Sequence, residues 1–349
     1  MTADTTTTTV AEATAMSRAR ELALKGPTTG PNPQVGCVLL DASGTVIAEG
    51  WHGGSGTPHA EVVALSEAEA SGVDTSRLTA VVTLEPCSHT GKTGPCAQAL
   101  IDAGIARVVY SVSDPGGESG GGATVLQDAG IDVVSGLDED AGLALIERWH
   151  HSVTLGRPWV TIKWAMSWDG RAAAADGTSQ WITGPATREK VHLERSQHDA
   201  IVVGTTTALV DDPSLTARTP SGELYQDQPR AIVVGTRDVP PSAQVRSHPG
   251  GFHHHRDHDL DALMSKLFSE GVRSLYVEGG PTLASAFIAA GLVDEIHITV
   301  GPLLLGGPLT AIGNIGVSTM SDALALQITE LTRVGDDVVV TARVTRKAE

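Results

Sequence analysis

Apolar positions along this 349-residue chain recur with two periods, and the switching between them outlines the fold. Residues 10–25 (VAEATAMSRARELALK) carry a helical stripe that the turn GPTTGPNP ends. VGCVLL (35–40) and TVIAEG (45–50) flank DASG in a hairpin pattern. A helix beginning near His59, the strand TAVVTLE (79–85), a helix from Pro95 and the strand RVVYSV (107–112) follow. ATVLQDAG, IDVVSG and DEDAGLALIERWHH then read as helix, strand and helix. Strands alternating with helices of this length predict a mostly parallel sheet covered on both faces.

The pattern pauses near HHSVTLGRP (150–158) and restarts. WVTIKWAM, PATREKVHLERS, DAIVVG, RAIVVG, DLDALMSKLFSEG, SLYVEGG, TLASAFIAAG and EIHITVG read in turn as strand, helix, two strands, helix, strand, helix and strand. LQITELTRVGDDVVVTARV places two alternating runs around Gly-Asp, an antiparallel hairpin. The expected organisation is a disordered lead-in over 1–14 and two α/β domains, 15–152 and 153–349, with no repeat between them.

Composition narrows the class. At 41% hydrophobic, 19% charged and a mean hydropathy of +0.01 the chain reads as soluble and globular. With 6 Trp, 3 Tyr and 3 Phe, its cores must be built mostly from Ala, Val, Leu and Ile. No apolar run approaches the roughly 18–20 residues of a membrane span. MTADTTTTTV has neither the basic nor the apolar region of a secretory signal. Net charge is −17, and residues 1–150 hold 7 basic against 19 acidic side chains. A surface for phosphate backbones clusters Lys and Arg, so a nucleic-acid substrate for the first half is not expected. Three cysteines in so long a chain argue against a disulfide scaffold and for a reducing, cytoplasmic setting.

Two of those cysteines belong to a metal pattern. Pro58-His59-Ala60-Glu61 places H-x-E at the start of a helix, Glu85-Pro86-Cys87 ends a strand, and Pro95-Cys96 opens another helix. One His and two Cys give Zn²⁺ three protein ligands and leave the fourth position to water, the layout of a catalytic site. Glu61 stands two residues from His59, where it can move that water's proton to a leaving amine without binding the metal. The competing reading is a structural zinc or an ordinary buried cysteine pair. A structural site would call for a fourth ligand, and the one further thiol, Cys37, lies in an apolar strand. The pattern is that of the zinc deaminases, except that SHTGKTGP separates the cysteines where those enzymes have two residues.

The stretch TLEPCSHTGKTGPCAQALIDAGI, with PNPQVGCVLL and EGWHGGSGTPHAEVVAL before it, closely resembles the bifunctional deaminase/reductase family of riboflavin biosynthesis. TIKWAMSWDGR, TSQWITGP, DAIVVGTTTALVDDPSLTAR and VEGGPTLASAFIAAGLVDE resemble that family's reductase half. The resemblance runs from about Met16 to the final hairpin in the family's domain order.

It implies a cytidine-deaminase-like α/β/α domain followed by a dihydrofolate-reductase-like α/β domain. The first would remove an amine from a ribosylamino-pyrimidinone 5-phosphate, and the second would reduce the product's ribose with NADPH. His59, Cys87 and Cys96 would hold zinc, Glu61 would shuttle protons, and Asn32 would bond the ring. His52 and His89 are further candidates for the pocket lining. Ala165, Trp181, Thr207, Asp211 and Thr236 would meet the cofactor, with Gly280, Pro281, Thr282, Leu283, Ala284, Ser285 and Ala286 at a helix N-terminus that suits pyrophosphate. Ser179, Arg195, Leu215, Arg218 and Glu278 would bind substrate. Lys163 interrupts an apolar strand and, facing inward, needs a charged partner; it would orient or polarise the opened ribose. Arg237 beside Thr236 is the candidate for the cofactor's 2′-phosphate. Family members commonly self-associate, so a homo-oligomer is expected, with neither nucleic acid nor membrane as partner.

Other signals carry less. Gly91-Lys92-Thr93 resembles the end of a P-loop, but Pro86 stands where that loop needs Gly. Gly117-Glu118-Ser119-Gly120-Gly121 has the letters of a nucleophile elbow but sits in DPGGESGGGA, read as a flexible loop where the family usually has DPNP. His253, His254, His255 and His258 read as an exposed, weakly metal-binding loop. Two rival functions stay open here: a nucleoside or tRNA deaminase fused to a pterin-type reductase, and a non-catalytic deaminase-fold scaffold.

Overall fold

In the computed structural model, which describes residues 8–91 and 94–345, the chain divides into two units, Met1–Gly156 and Arg157–Glu349. The first begins with α1 (Val10–Ala23), and its start is chemically fixed. Thr9 Oγ1 accepts the Glu12 N–H at 3.1 Å while the Glu12 carboxylate accepts the Thr9 N–H, a reciprocal cap that satisfies two orphan donors. The expected lead-in over 1–14 is therefore too long: residues 10–14 are helix, and residues 1–7 lie outside those described. Lys92 and Thr93 of the P-loop-like triplet also lie outside them.

The strands β1 (Gly36–Leu40), β2 (Val46–Trp51), β3 (Thr79–Leu84), β4 (Arg107–Val112) and β5 (Asp132–Val134) form a sheet ordered β2-β1-β3-β4-β5. β1 is antiparallel to both neighbours, and β3, β4 and β5 run parallel. Every residue of β1 is buried because both faces are covered. Val38 and Leu40 pack with Met16, Ala19 and Leu22 of α1, while Cys37 and Leu39 join the cluster of α2 (Ala60–Ala70) and α3 (Cys96–Asp102). α4 (Gly122–Asp128) and α5 (Glu139–Leu155) complete an α/β/α sandwich. α5 runs past the expected boundary at 152 and ends only where Gly156 adopts a left-handed conformation.

The second unit contains β6 (Trp159–Ser167), α6 (Pro185–Ser196), β7 (Ala200–Gly204), α7 (Thr205–Val210), β8 (Arg230–Val234), β9 (Phe252–His255), α8 (Leu260–Ser269), β10 (Ser274–Val277), α9 (Pro281–Ala289), β11 (Glu295–Gly301), β12 (Leu326–Val334) and β13 (Asp337–Val344). Their order is β12-β13-β11-β6-β10-β7-β8-β9, parallel except for the terminal hairpin. Val160, Ile162, Leu275 and Val277 pack against Leu263, Leu267 and Phe287 on one face. Ile201, Val203, Val233 and Tyr276 pack with Val191 on the other. Leu326, Ile328 and Leu331 of β12 remain exposed. No helix among the described residues is long and apolar enough to cross a membrane.

The histidine tract departs from expectation. His253 to His255 are not an exposed loop but half-buried residues of β9, paired in parallel with β8. Main-chain pairing accepts any side chain, and the rings find local partners: His254 Nε2 bonds the Gly235 carbonyl at 2.8 Å and His255 Nε2 that of Asp259 at 2.9 Å. Among the described residues, no candidate metal cluster includes them.

Candidate active sites

Local structure delivers the three candidate zinc ligands from separate elements. His59 is the N-cap of α2 in extended conformation, and its ring makes no capping bond but turns to the two cysteines. Cys87 follows β3, and Cys96 is the first residue of α3 with Pro95 as its N-cap. Two bonds tie the start of α3 to Cys87: Ala97 N–H to the Cys87 carbonyl at 3.1 Å and Cys96 N–H to Cys87 Sγ at 3.4 Å.

The donor atoms of His59, Cys87 and Cys96 all lie within 4.8 Å of one another. His59 Nδ1 is 3.2 Å from Cys96 Sγ and 3.6 Å from Cys87 Sγ. A tetrahedral zinc with ordinary bond lengths sets its nitrogen and sulfur ligands about 3.6 Å apart, so the residues present fit that ion. The thiols form a proton-sharing pair: the hydrogen bond from Cys96 holds the Cys87 thiol down to about 4, and the same bond pushes Cys96 upward. Glu61, outside the ligand group, lies buried in hydrogen-bond contact with Cys96, and burial raises its pKa.

Asn32 reaches this site through His52. Its amide nitrogen is 3.0 Å from His52 Nε2, while His52 Nδ1 is 3.2 Å from the Pro58 carbonyl. The His52 ring meets the His59 ring edge-on, with centroids 5.0 Å apart. Trp149 fixes the turn before Asn32 by donating Nε1–H to the Pro31 carbonyl at 3.0 Å. His89 is partly buried, and among the described residues its Nδ1 has no hydrogen-bond partner.

Sequence reasoning missed Glu85. Its buried carboxylate accepts the N–H groups of Asp114, Gly121 and Ala123 at 3.1, 3.1 and 2.9 Å. Ser88 adds its N–H to the Ser119 carbonyl at 3.0 Å and its hydroxyl to that of Gly120 at 2.6 Å. DPGGESGGGA is therefore not a loose loop; it is fastened to the chain on either side of Cys87. The available signal was an acidic residue ending an otherwise apolar strand, TAVVTLE.

In the second unit Lys163 does face inward, and its partner is Glu278, 3.7 Å away. Arg195 grips Glu278 bidentately at 2.7 and 2.9 Å and donates a third N–H to the Thr216 carbonyl at 3.0 Å. Burial pushes the Glu278 carboxyl up, but Arg195 and Lys163 outweigh it and hold the group at about 2. Burial also lowers the Lys163 pKa. His192 Nδ1 meets the same Thr216 carbonyl at 3.1 Å. Leu215 beside it is buried at a positive φ of 57°, a strained conformation that such surroundings keep in place. Arg218 is exposed and bonds Thr216 Oγ1 at 3.0 Å; Ser179 lies on an exposed loop.

Gly280 is the N-cap of α9 and lies against Thr207 of α7, so these candidate cofactor residues adjoin. Asp211 caps the C-terminus of α7, Thr236 follows β8, and Ala165 lies two residues beyond Lys163 on β6. Trp181 is exposed, with the Arg188 guanidinium 4.4 Å from its ring centre. Pro281 is partly buried, and Thr282 and Ala286 are exposed on α9. Leu283 and Ala284 pack into the core, and Ser285 is spent on the Gly313 N–H at 2.9 Å, so these three face away from solvent. Arg237 bonds the hydroxyls of Thr205 and Thr206.

Residues 10–112 match the family described as the cytidine and deoxycytidylate deaminase zinc-binding region, and residues 158–340 match the RibD C-terminal domain. The riboflavin biosynthesis protein RibD of Mycobacterium tuberculosis is 45% identical over 314 residues, which cover 90% of this chain and 91% of that protein. RibD of Escherichia coli is 40% identical over 358 residues, 93% of this chain and 96% of its own. Among solved structures, Acinetobacter baumannii RibD superposes with a TM-score of 0.87 at 32% identity, covering 96% of this chain and 99% of that one. A diaminohydroxyphosphoribosylaminopyrimidine deaminase/5-amino-6-(5-phosphoribosylamino)uracil reductase of Thermotoga maritima gives 0.83 at 31% identity, covering 96% and 99%.

Proposed function

Because the chain belongs to the RibD family of bifunctional riboflavin-biosynthesis enzymes, we propose roles for its individual residues in two successive reactions. The chain is a deaminase and a reductase: a zinc-binding domain hydrolyses an amine from 2,5-diamino-6-(5-phosphoribosylamino)pyrimidin-4(3H)-one, and a reductase domain converts the product's ribosyl group to ribityl. The RibD C-terminal match spans the second unit, which removes the pterin-reductase rival, and the two activities remove the scaffold.

The carrying observation for the first reaction is the convergence of His59, Cys87 and Cys96 with a buried Glu61 in contact with Cys96. His59, Cys87 and Cys96 would hold zinc, which would supply the Lewis acidity that makes water nucleophilic at neutral pH. Glu61 accepts a proton from the attacking water and returns it to the leaving amine; burial, which raises its pKa, suits it to both tasks. Asn32 bonds the ring and orients it for attack.

For the second reaction we assign NADPH as the hydride donor. Gly280 at the α9 N-terminus would suit its pyrophosphate, Ala165, Trp181, Thr207, Asp211 and Thr236 would line its place, and Arg237 with the Thr205 and Thr206 hydroxyls would suit a 2′-phosphate. Lys163 orients the opened ribose and supplies a proton to its oxygen, while Glu278 holds Lys163. Arg195 keeps Glu278 and the Leu215 loop together; three of its five N–H groups are committed there, leaving two for the substrate phosphate with Arg218 and Ser179. We take the chain to self-associate through the exposed apolar side chains of β12.

Mass spectrometry of the product after incubation with the diaminopyrimidine ribosylamino phosphate, with and without NADPH, tests the assignment. Amine-for-oxygen exchange without cofactor and two added hydrogens with it are expected. Exchange without reduction would overturn the cofactor assignment, and reduction with NADH at equal efficiency would overturn the role of Arg237.

A further inference from the structure

The partners of His52 determine which way the Asn32 amide faces. A carbonyl oxygen can only accept, so His52 Nδ1, 3.2 Å from the Pro58 carbonyl, carries the ring proton. Nε2 is then a bare lone pair, and the atom 3.0 Å from it is the Asn32 amide nitrogen. Donor and acceptor alternate along the whole line, from Pro58 through His52 to Asn32. With one amide N–H committed to His52, Asn32 Oδ1 is turned outward from that bond. Neither end of the line is slack. The His52 ring is buried and set edge-on against His59, and the backbone before Asn32 is held by Trp149.

We propose that His52 is a positioning residue for deamination, fixing the Asn32 amide so that Oδ1 faces the substrate and the site selects a heterocycle edge bearing an N–H or amino donor. This rests on the reading of Asn32 as a ring contact. An unrestrained asparagine could rotate to offer either end and would accept a carbonyl edge as readily as an amino edge. Held by His52, it opposes a carbonyl with its own oxygen, and two lone pairs facing each other at a half-buried position disfavour that edge. The same ring bonds Pro58, the residue before His59, so one histidine joins substrate recognition to the ligand turn.

Steady-state deamination and zinc content of His52→Leu, His52→Gln, Asn32→Ala and the Asn32→Ala/His52→Leu double variant test this. His52→Leu is expected to keep zinc and raise KM about tenfold, with kcat changed far less. His52→Gln, whose side-chain oxygen can accept the same N–H, should restore most of the lost KM. The double variant should be no worse than Asn32→Ala, because His52 acts through that amide. Multiplying effects in the double variant, or a glutamine no better than leucine, would overturn the proposal. Zinc loss in His52→Leu would overturn it too, since the histidine would then support the ligand turn alone. An Asn32→Ala protein with unchanged KM would instead remove the reading of Asn32 on which the proposal stands.

Discussion

Glu278 is a buried carboxylate that stays ionised because two cations face it. Its pKa of about 2 lies below the ordinary 4.5, so the unfolded chain takes up the proton first as pH falls. Its stabilising contribution is therefore complete above about pH 4.5 and lost progressively toward pH 2. Denaturant unfolding of the second unit, followed by tryptophan fluorescence, should lose about 2 kcal/mol between about pH 5 and about pH 3. Glu278→Gln should flatten that loss while lowering stability at neutral pH, since Arg195 and Lys163 would be buried without their counter-charge. An equal acid slope in wild type and variant would refute the arrangement. At this scale the candidate zinc set was legible because H-x-E and two Pro-Cys pairs bring one His and two Cys to the ends of helices and strands, although eight residues separate the cysteines. Lys163 was legible because a lysine in TIKWAM must find a partner. Arg195 was not legible in its actual bonds: HLERSQH reads as a solvated helix face, and its hold on Glu278 spans 83 positions of sequence.

Elements with a full period were readable almost to the residue, as α6 and β11 illustrate. β9 was not, because FHHH lacks the β-branched and alternating pattern that marks a strand; its pairing with β8 supplies what local preference does not. α7, at six residues, is too short to display a helical stripe. Contact between elements is also invisible in a single sequence, and Gly122 is the sharpest case. A Cβ there would lie 1.7 Å from the Pro86 carbonyl oxygen, so α4 approaches the Cys87 turn as closely as it does only because the residue is glycine. Gly122→Ala should cost about 2–4 kcal/mol in thermal unfolding of the first unit and depress deamination. Gly117→Ala, where a Cβ meets open space, should do neither. Equal behaviour of the two variants would show that the turn yields freely.

For the whole molecule, the restart of strand–helix alternation after residue 150 revealed two units, and their order followed from the motifs each half carries. The exact junction did not, because nothing in WHHSVTLG tells a reader that the helix continues to Leu155 before Gly156 stops it. Two separate cores predict separable chemistry. Cys87→Ser should lose zinc and amine exchange while reduction of already deaminated substrate proceeds within about twofold of wild type. Loss of both activities would mean that the second unit depends on the metal in the first. The Glu85 clamp has a practical consequence as well. It grips the 114–123 segment by amide protons, which every residue but proline offers, so at Gly117, where a Cβ meets open space, the side chain does not enter the grip. Gly117 can therefore carry a cysteine-linked fluorophore next to the Cys87 turn, reporting on occupancy of the deaminase without loosening the wall it is mounted on.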